Sequence, residues 1–184
     1  METNTKPIYT VEHRPIKYPR IEYKTGALQL ILPINKDDKE FFERHRAWIE
    51  KRETAIQDAL KEAKGKTLLE RDEDLFRRLV NEEVGIIQSE LDTPLGKTFF
   101  REMRSKWASY STSHNITVNT LMKHLPEHLI YYILYHELAH AIEKRHNEHF
   151  WMIIQKKYPH HDALESELFS YWFLIQNIKG GFSR

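Results

Sequence analysis

Two histidines and a glutamate in the stretch Tyr135–Trp151 have a spacing that suits metal chemistry. His136, Glu137 and His140 follow the pattern H-E-x-x-H. Positions four apart lie one turn above each other on the same helix face, so both imidazoles can reach one ion. Glu137 is rotated by about 100° from its neighbour, which places its carboxylate beside the ion, where it can accept a proton from water. The pattern therefore predicts a metal site with Glu137 as its catalytic general base.

The surrounding residues predict that this pattern lies on a buried helix, because apolar side chains recur around it at helical spacing. Unpartnered imidazoles and a carboxylate would cost several kcal/mol in such a helix, and a bound metal ion would remove that cost. The chain has 11 histidines, so composition alone would produce the pattern with a frequency of roughly 5%. The interpretation as a metal site therefore depends on the apolar residues around the pattern. These apolar residues are Leu129, Ile130, Ile133, Leu134, Leu138, Ala141 and Ile142.

A catalytic zinc ion usually has three protein ligands and one position for water, so a third donor is needed. His146 lies six residues after His140, beyond the expected helix end, where a turn can bring its ring back to the ion. Because of this spacing, we prefer His146 as the third metal ligand. His149 is an alternative that equally fits an ordinary surface histidine. Glu165 or Glu167 would instead make a His-His-Glu site, with the carboxylate supplied by a following helix.

Three segments carry a resemblance to a known family. They are residues 103–111 with 115–119, residues 125–140, and residues 146–151. Together they resemble the YgjP-like zinc metallopeptidase domain, a family of predicted metal-dependent hydrolases related to SprT-like proteases. The third ligand in that family is the histidine four residues before a Phe-Trp pair, which is His146 in this sequence. Ala108, Tyr110 and Asn147 stand where the family usually has Gly, Cys and Ser.

The resemblance implies a zinc-dependent hydrolase with one zinc per chain, held by His136, His140 and His146. We expect a peptidase that acts on a peptide or protein substrate through water activated by Glu137. A metal-dependent nucleoside triphosphate pyrophosphatase is one alternative, since such a label occurs in this family. A zinc-containing, DNA-associated binding protein is another, as SprT-like relatives suggest. Glu137 favours an enzyme, because a closed structural zinc site has no use for a base.

A basic stripe bears on the choice between these substrates. Arg101, Arg104 and Lys106 could hold phosphates, but charge that protects an edge strand is the preferred explanation. On one continuous strand, Arg101 would face the opposite side from the other two residues. Because the three charges then do not converge, we rank peptide substrates above phosphate substrates.

Composition restricts the class of protein further. The chain has 184 residues and 40% hydrophobic content, which is enough for one domain with a full core. A net charge of +1 gives nucleic-acid binding only weak support. The absence of cysteine excludes disulfides and thiolate metal sites. No apolar leader and no run of membrane-spanning length is found, so we expect a cytoplasmic protein without membrane contact. The oligomeric state is left open.

The first part of the sequence predicts a hairpin, with strands at residues 21–24 and 27–33 around Thr25-Gly26. The later part predicts extended chain over residues 98–111, paired with a strand at 116–118. Helices are predicted over residues 35–64, 68–84, 126–143, 147–158 and 163–178.

These elements predict an α+β, zincin-like fold in which a small antiparallel sheet packs on the active-site helix. The N-terminal hairpin and the amphipathic helices occupy about residues 20–92, and the metal-binding core occupies about 97–180. We interpret residues 1–184 as a single zincin-like metallohydrolase domain. By analogy with zincins, an extended peptide could pair with the edge of the 98–111 strand, over the ion.

Overall fold

The computed structural model describes residues 9–24 and 27–178, which fall into two compact units. The first unit consists of the chain up to Gly65 together with the chain from Trp172 onward, and the second unit is Lys66–Tyr171. Every residue of the predicted metal site belongs to the second unit. The interpretation as a single domain stays a prediction.

The first unit contains a three-stranded sheet and one long helix. Its elements are β1 (Tyr9–Arg14), β2 (Arg20–Lys24), β3 (Ala27–Pro33) and α1 (Asp38–Ala63). β3 lies in the centre of the sheet, antiparallel to β2 and parallel to β1. The predicted hairpin strands are confirmed, and the Thr25-Gly26 turn lies outside the described residues. The sequence does not predict β1, because none of its side chains is fully buried.

Alternate leucines of β3 connect this sheet to α1. Leu28, Leu30 and Leu32 are buried, and they pack in one cluster with apolar residues of the helix. The Asp37 side chain accepts a hydrogen bond from the backbone N–H of Glu40 at 2.7 Å, which caps the start of α1. The predicted first helix is therefore confirmed with nearly the predicted bounds.

The second unit carries the candidate site. α5 extends beyond it, because the boundary between the units falls within this helix. Across the described residues, none of the helices has both the length and the apolar character needed to cross a bilayer. The elements are α2 (Glu73–Leu91), β4 (Thr98–Arg101), β5 (Ala108–Tyr110), β6 (Ile116–Asn119), a 3₁₀ helix (Thr120–His124), α3 (Glu127–Ala139), α4 (Glu148–Lys157) and α5 (His161–Ile178).

α2 begins later than the sequence predicts. The periodicity predicts a start near Leu68, but the Asp72 carboxylate accepts hydrogen bonds from the N–H groups of Asp74 and Leu75, both at 3.0 Å. These bonds satisfy two of the donors that a helix start leaves unpaired, and they fix the start of α2 one residue after Asp72. Gly85 lies inside the helix, which continues past the predicted end.

The sheet of the second unit is mixed, which corrects the predicted antiparallel sheet. Its strand order is β4-β6-β5, with β4 parallel and β5 antiparallel to β6. The predicted 98–111 strand is interrupted between Arg101 and Ala108. The buried Asn119 side chain donates to the carbonyl oxygens of Met103 and Lys106 at 2.9 and 2.7 Å, and it thereby holds the intervening segment as a loop. Strand alternation therefore does not extend to this segment.

The predicted α+β, zincin-like class is confirmed, because the small sheet lies against the helix that carries H-E-x-x-H. That helix, α3, ends at Ala139 and not near Glu143. After it, the N–H of Ala141 bonds to the carbonyl of Leu138 at 2.9 Å, so the spacing has tightened to three residues. Such tightening is common where a helix ends.

The start of α3 is held by a buried arginine. Arg71 donates to the carbonyl oxygens of Lys123 and Leu125 at 2.9 and 3.1 Å, and its guanidinium lies 3.6 Å from the Glu127 carboxylate. Because these groups flank the beginning of the helix, Arg71 fixes the point from which α3 presents its histidines.

Candidate metal centre

α3 and the segment after it bring the three preferred histidines together. His136 lies in the last turn of α3, His140 is the residue that follows its last turn, and His146 precedes α4. One ring nitrogen from each lies within 4.8 Å of the other two. The Nε2 atoms of His136 and His146 are 3.0 Å apart. No other group of three acidic or histidine side chains in the described ranges has this spacing.

Glu143 shapes the turn between the second and third histidines. Its carbonyl oxygen accepts a hydrogen bond from His140 Nδ1 at 3.0 Å, so Nε2 is the nitrogen of this ring that is available to a metal ion. Its carboxylate accepts a bond from the backbone N–H of Arg145 at 3.0 Å. Asn147 then caps α4, which begins one residue after the predicted start of this helix. The five residues between His140 and His146 are therefore folded by local hydrogen bonds.

A pair of aromatic residues on α4 packs against the histidine rings. Phe150 is fully buried, and its ring centroid lies 4.6 to 4.9 Å from the centroid of each histidine ring of the cluster. Trp151 stacks on His146 at 5.6 Å and on His161 at 4.7 Å. These contacts fix the orientation of the imidazoles and remove water from one side of the cluster.

The surroundings of His136 and His146 favour the neutral form of these two imidazoles. Burial, and then the neighbouring His146 and His140, lower the pKa of His136 to about 3. Burial and His140 also lower the pKa of His146. Neutral imidazole is the form that binds metal ions. Three converging ring nitrogens in a partly buried site fit a divalent cation that prefers nitrogen ligands.

Glu137 faces the sheet next to the histidines. Its Oε2 atom accepts a hydrogen bond from the backbone N–H of Tyr110, in β5, at 3.0 Å. Burial raises the pKa of Glu137, while this hydrogen bond and the charge of Lys106 oppose the shift. A carboxylate with a raised pKa accepts a proton more readily than a solvated one, which suits a general base.

A cleft of about 530 Å³ opens over these residues, between β5, α3 and the start of α5. β5 is an edge strand of its sheet, so one side of its backbone is not paired with β6. Within the predicted basic stripe, Lys106 lines the cleft, whereas Arg101 and Arg104 do not. Lys144, in the turn after α3, is the other lysine in its lining.

Two of the alternative third ligands are occupied elsewhere. His149 Nδ1 lies 3.7 Å from the Glu143 carboxylate. Glu167 accepts a hydrogen bond from Lys66 Nζ at 3.3 Å, and its other oxygen is 3.1 Å from His128 Nε2. Neither side chain belongs to the histidine cluster.

The remaining alternative, Glu165, does line the cleft. Its Oε1 atom lies 3.6 Å from His136 Nδ1 and accepts a hydrogen bond from Tyr132 Oη at 2.6 Å. Sequence reasoning missed Tyr132 as a partner of this carboxylate, and it missed the Tyr110 N–H as a partner of Glu137. The Tyr110 donor is a backbone group, which the pattern of side chains cannot indicate. In the sequence, Tyr132 has the position of a buried core residue of a helix.

A helix with H-E-x-x-H beside a small sheet is the arrangement of a metal-dependent hydrolase. A family model described as the YgjP-like metallopeptidase domain matches residues 62–171, and the chain belongs to this family. The resemblance drawn from the sequence is thereby confirmed. Membership makes the chain a hydrolase, supports a metal-dependent peptidase and implies a metal ion.

Two solved structures are similar to part of the chain. The metallopeptidase zymogen abylysin of Pyrococcus abyssi is 27% identical in sequence, with a TM-score of 0.43. The match covers 48% of this chain and 88% of the abylysin chain. The metallopeptidase zymogen jannalysin of Methanocaldococcus jannaschii is 22% identical, covers 60% of this chain and 94% of its own, and has a TM-score of 0.45. No curated protein matches the sequence.

Proposed function

We propose that this chain is a zinc-dependent peptidase with one zinc per chain, held by His136, His140 and His146. The observation that carries the proposal is the position of Glu137. Its carboxylate lines the same cleft as the three imidazoles and is hydrogen-bonded to the edge strand β5. Metal-assisted hydrolysis of a peptide brings metal ligands, a general base and a surface for the substrate together around one space.

The residues around the cleft have separate roles in the proposed hydrolysis. His136, His140 and His146 would hold a zinc ion, which would supply the Lewis acid that activates water and polarises the scissile carbonyl. Glu137 accepts the proton of the attacking water and later transfers it to the leaving amine. The hydrogen bond from Tyr110 occupies Oε2, so we assign the proton transfer to Oε1. Phe150 and Trp151 hold the imidazoles in place on the far side.

The backbone of β5 supports a peptide substrate. The carbonyl of Trp107 accepts a bond from the N–H of Asn119, and the N–H of Ser111 donates to the carbonyl of Asn115. Because backbone groups alternate in direction along a strand, the peptide groups of Ala108 face the opposite edge, toward the cleft. An extended peptide can pair with that edge by main-chain hydrogen bonds and bring its scissile bond toward the histidines.

Hydrolysis of a phosphoanhydride is the second candidate, and one observation favours it. Lys106 and Lys144 both line the cleft and could contact phosphate oxygens. Against it, Arg101 and Arg104 do not reach the lining, and the described residues contain no carboxylate-rich group of the kind that magnesium-dependent phosphate chemistry usually employs. Peptide hydrolysis therefore remains the preferred function.

The test offers both substrate classes to one preparation. Zinc-loaded protein is incubated with a diverse library of unstructured peptides and, separately, with nucleoside triphosphates, each with and without a chelator. We expect new peptide termini by mass spectrometry, and none after chelation, because the zinc activates the nucleophile. Consumption of triphosphates while the library stays intact would contradict the proposal and favour the phosphoanhydride reaction.

A further inference from the structure

The two ring nitrogens of His136 face different groups. Nε2 lies 3.0 Å from His146 Nε2, inside the histidine cluster. Nδ1 lies 3.6 Å from Oε1 of Glu165, which reaches it from α5. The same carboxylate oxygen accepts the 2.6 Å hydrogen bond from Tyr132, one turn before His136 on α3. The carboxylate is therefore held by the helix that carries the histidine it faces.

We propose that Glu165 is a positioning residue for His136, tethered by Tyr132, and that it is not itself a metal ligand. This inference rests on the proposed metal centre. Glu165 does not belong to the group whose donor atoms lie within 4.8 Å of one another, and the oxygen in question lies on the Nδ1 side of the ring. A carboxylate in that position orients a ligating imidazole and raises its basicity.

A metal ion bound at Nε2 would strengthen the contact between His136 Nδ1 and Glu165. When Nε2 binds an ion, the ring must carry its proton on Nδ1, and that N–H then points toward the carboxylate. At 3.6 Å the present contact is longer than a hydrogen bond, so a small rotation of the ring or the carboxylate is needed to form one. His140 already has the corresponding bond, to the carbonyl of Glu143, at 3.0 Å.

Tyr132 keeps the carboxylate in place. Its side chain is buried, and its ring packs edge-to-face on Tyr158 with centroids 5.2 Å apart. Its hydroxyl donates the 2.6 Å hydrogen bond to Oε1 of Glu165, and burial together with this bond raises the pKa of the phenol. Glu165 itself is partly exposed, and without this donor its side chain would be free to turn into solvent.

The chain offers a matched control for the test. Glu165→Gln and Glu167→Gln make the same change two residues apart on α5, but Glu167 contacts Lys66 and His128 and no histidine of the cluster. The zinc dissociation constant of each variant is measured by competition with a chromophoric chelator. We expect Glu165→Gln to bind zinc about 10- to 100-fold more weakly than wild type, and Glu167→Gln to bind it as wild type does.

Two further readouts separate positioning from ligation. At saturation, Glu165→Gln should still hold one metal per chain, and its cobalt-substituted absorption spectrum should match that of wild type, because the ligand set is unchanged.

Tyr132→Phe tests the hydrogen bond that holds Glu165. This substitution should weaken zinc binding, and it should add little in the double variant with Glu165→Gln, because both substitutions disrupt the same contact between Glu165 and His136.

Three results would overturn the inference. Wild-type affinity in Glu165→Gln would show that the contact has no effect on the metal. A lost equivalent of zinc or an altered cobalt spectrum would make Glu165 a ligand. Failure of the wild-type chain to bind zinc at all would remove the proposed metal centre itself, and this outcome differs from the other two because it does not involve the variants.

Discussion

At Glu137, burial and one backbone hydrogen bond act in opposite directions on the same carboxyl group. Burial raises its pKa, which favours uptake of a proton, and the N–H of Tyr110 stabilises the ionised form that accepts it. The same hydrogen bond orients the carboxylate with respect to β5. The residue is therefore held in place by the strand on which we propose the substrate docks.

The exchange Glu137→Gln tests the role of the charge alone. The amide has nearly the same size and can still accept the bond from Tyr110, so we expect the fold and the zinc content to be retained. Peptide turnover should fall by about 10²-fold or more, the usual scale for loss of a general base. The control is Glu148→Gln, an identical exchange at an exposed position of α4. Wild-type turnover in Glu137→Gln would refute the proposed mechanism.

At the scale of single elements, short-range hydrogen bonds decide where helices begin. The caps at Asp37, Asp72 and Asn147 each accept a bond from a backbone N–H in the first turn. Hydrophobic periodicity placed the second helix too early, at Leu68, because it detects a buried face and not a cap. The aspartate at position 72 was the more informative residue.

The pH dependence of α2 follows from its cap. The N–H of Leu75 lowers the pKa of Asp72 below its unfolded-state value of about 3.9. A lowered folded-state pKa means that the stabilisation is complete above the unfolded value and is lost as the pH falls through the folded value. Asp72→Asn keeps a capping acceptor but loses the charge, so its thermal midpoint should be lower than that of wild type at neutral pH. The difference between the two midpoints should disappear below about pH 4.

Asp72→Ala is the contrasting variant, because it lacks an acceptor at every pH. Its thermal midpoint should be lower than that of wild type at neutral pH and lower than that of Asp72→Asn across the whole range. A gap between wild type and Asp72→Asn that stays constant from pH 7 to pH 3 would contradict the assigned role of the charge.

At the scale of the whole molecule, the proposed ligands all belong to one of the two compact units. A ligand stabilises the structure that binds it, by about 2.7 kcal/mol at 100 times its dissociation constant. We therefore expect zinc to slow amide hydrogen exchange in α3 and α4 and to leave exchange in β3 and α1 nearly unchanged. Hydrogen exchange with mass spectrometry measures both regions in one experiment.

A pair of histidine variants controls for non-specific binding of zinc. His146→Ala should abolish the zinc-dependent protection of α3, whereas His149→Ala should retain it, because His149 faces Glu143 and not the cluster. Equal gains of protection in α1 and α3 would contradict a site confined to the second unit. Retained protection in His146→Ala would contradict the third ligand.

The sequence by itself determined the features that depend on near neighbours. Four-residue spacing places His136 and His140 on one helix face, and a six-residue step over a turn brings His146 to them. The cap at Asn147 follows from one side chain and one turn of helix. Local periodicity likewise predicted the hairpin of β2 and β3. These features could be predicted because short stretches of chain have few alternative conformations.

Only the tertiary structure determined which residues far apart in the sequence contact each other. The parallel partner of β3 is a strand without a buried stripe, and the break after β4 is held by Asn119, more than ten residues further along. Tyr110 reaches Glu137 across 27 positions, and Glu165 reaches His136 across 29. No periodicity records such pairs, because their contact depends on how whole elements pack, and many pairings of the same elements satisfy the same local pattern.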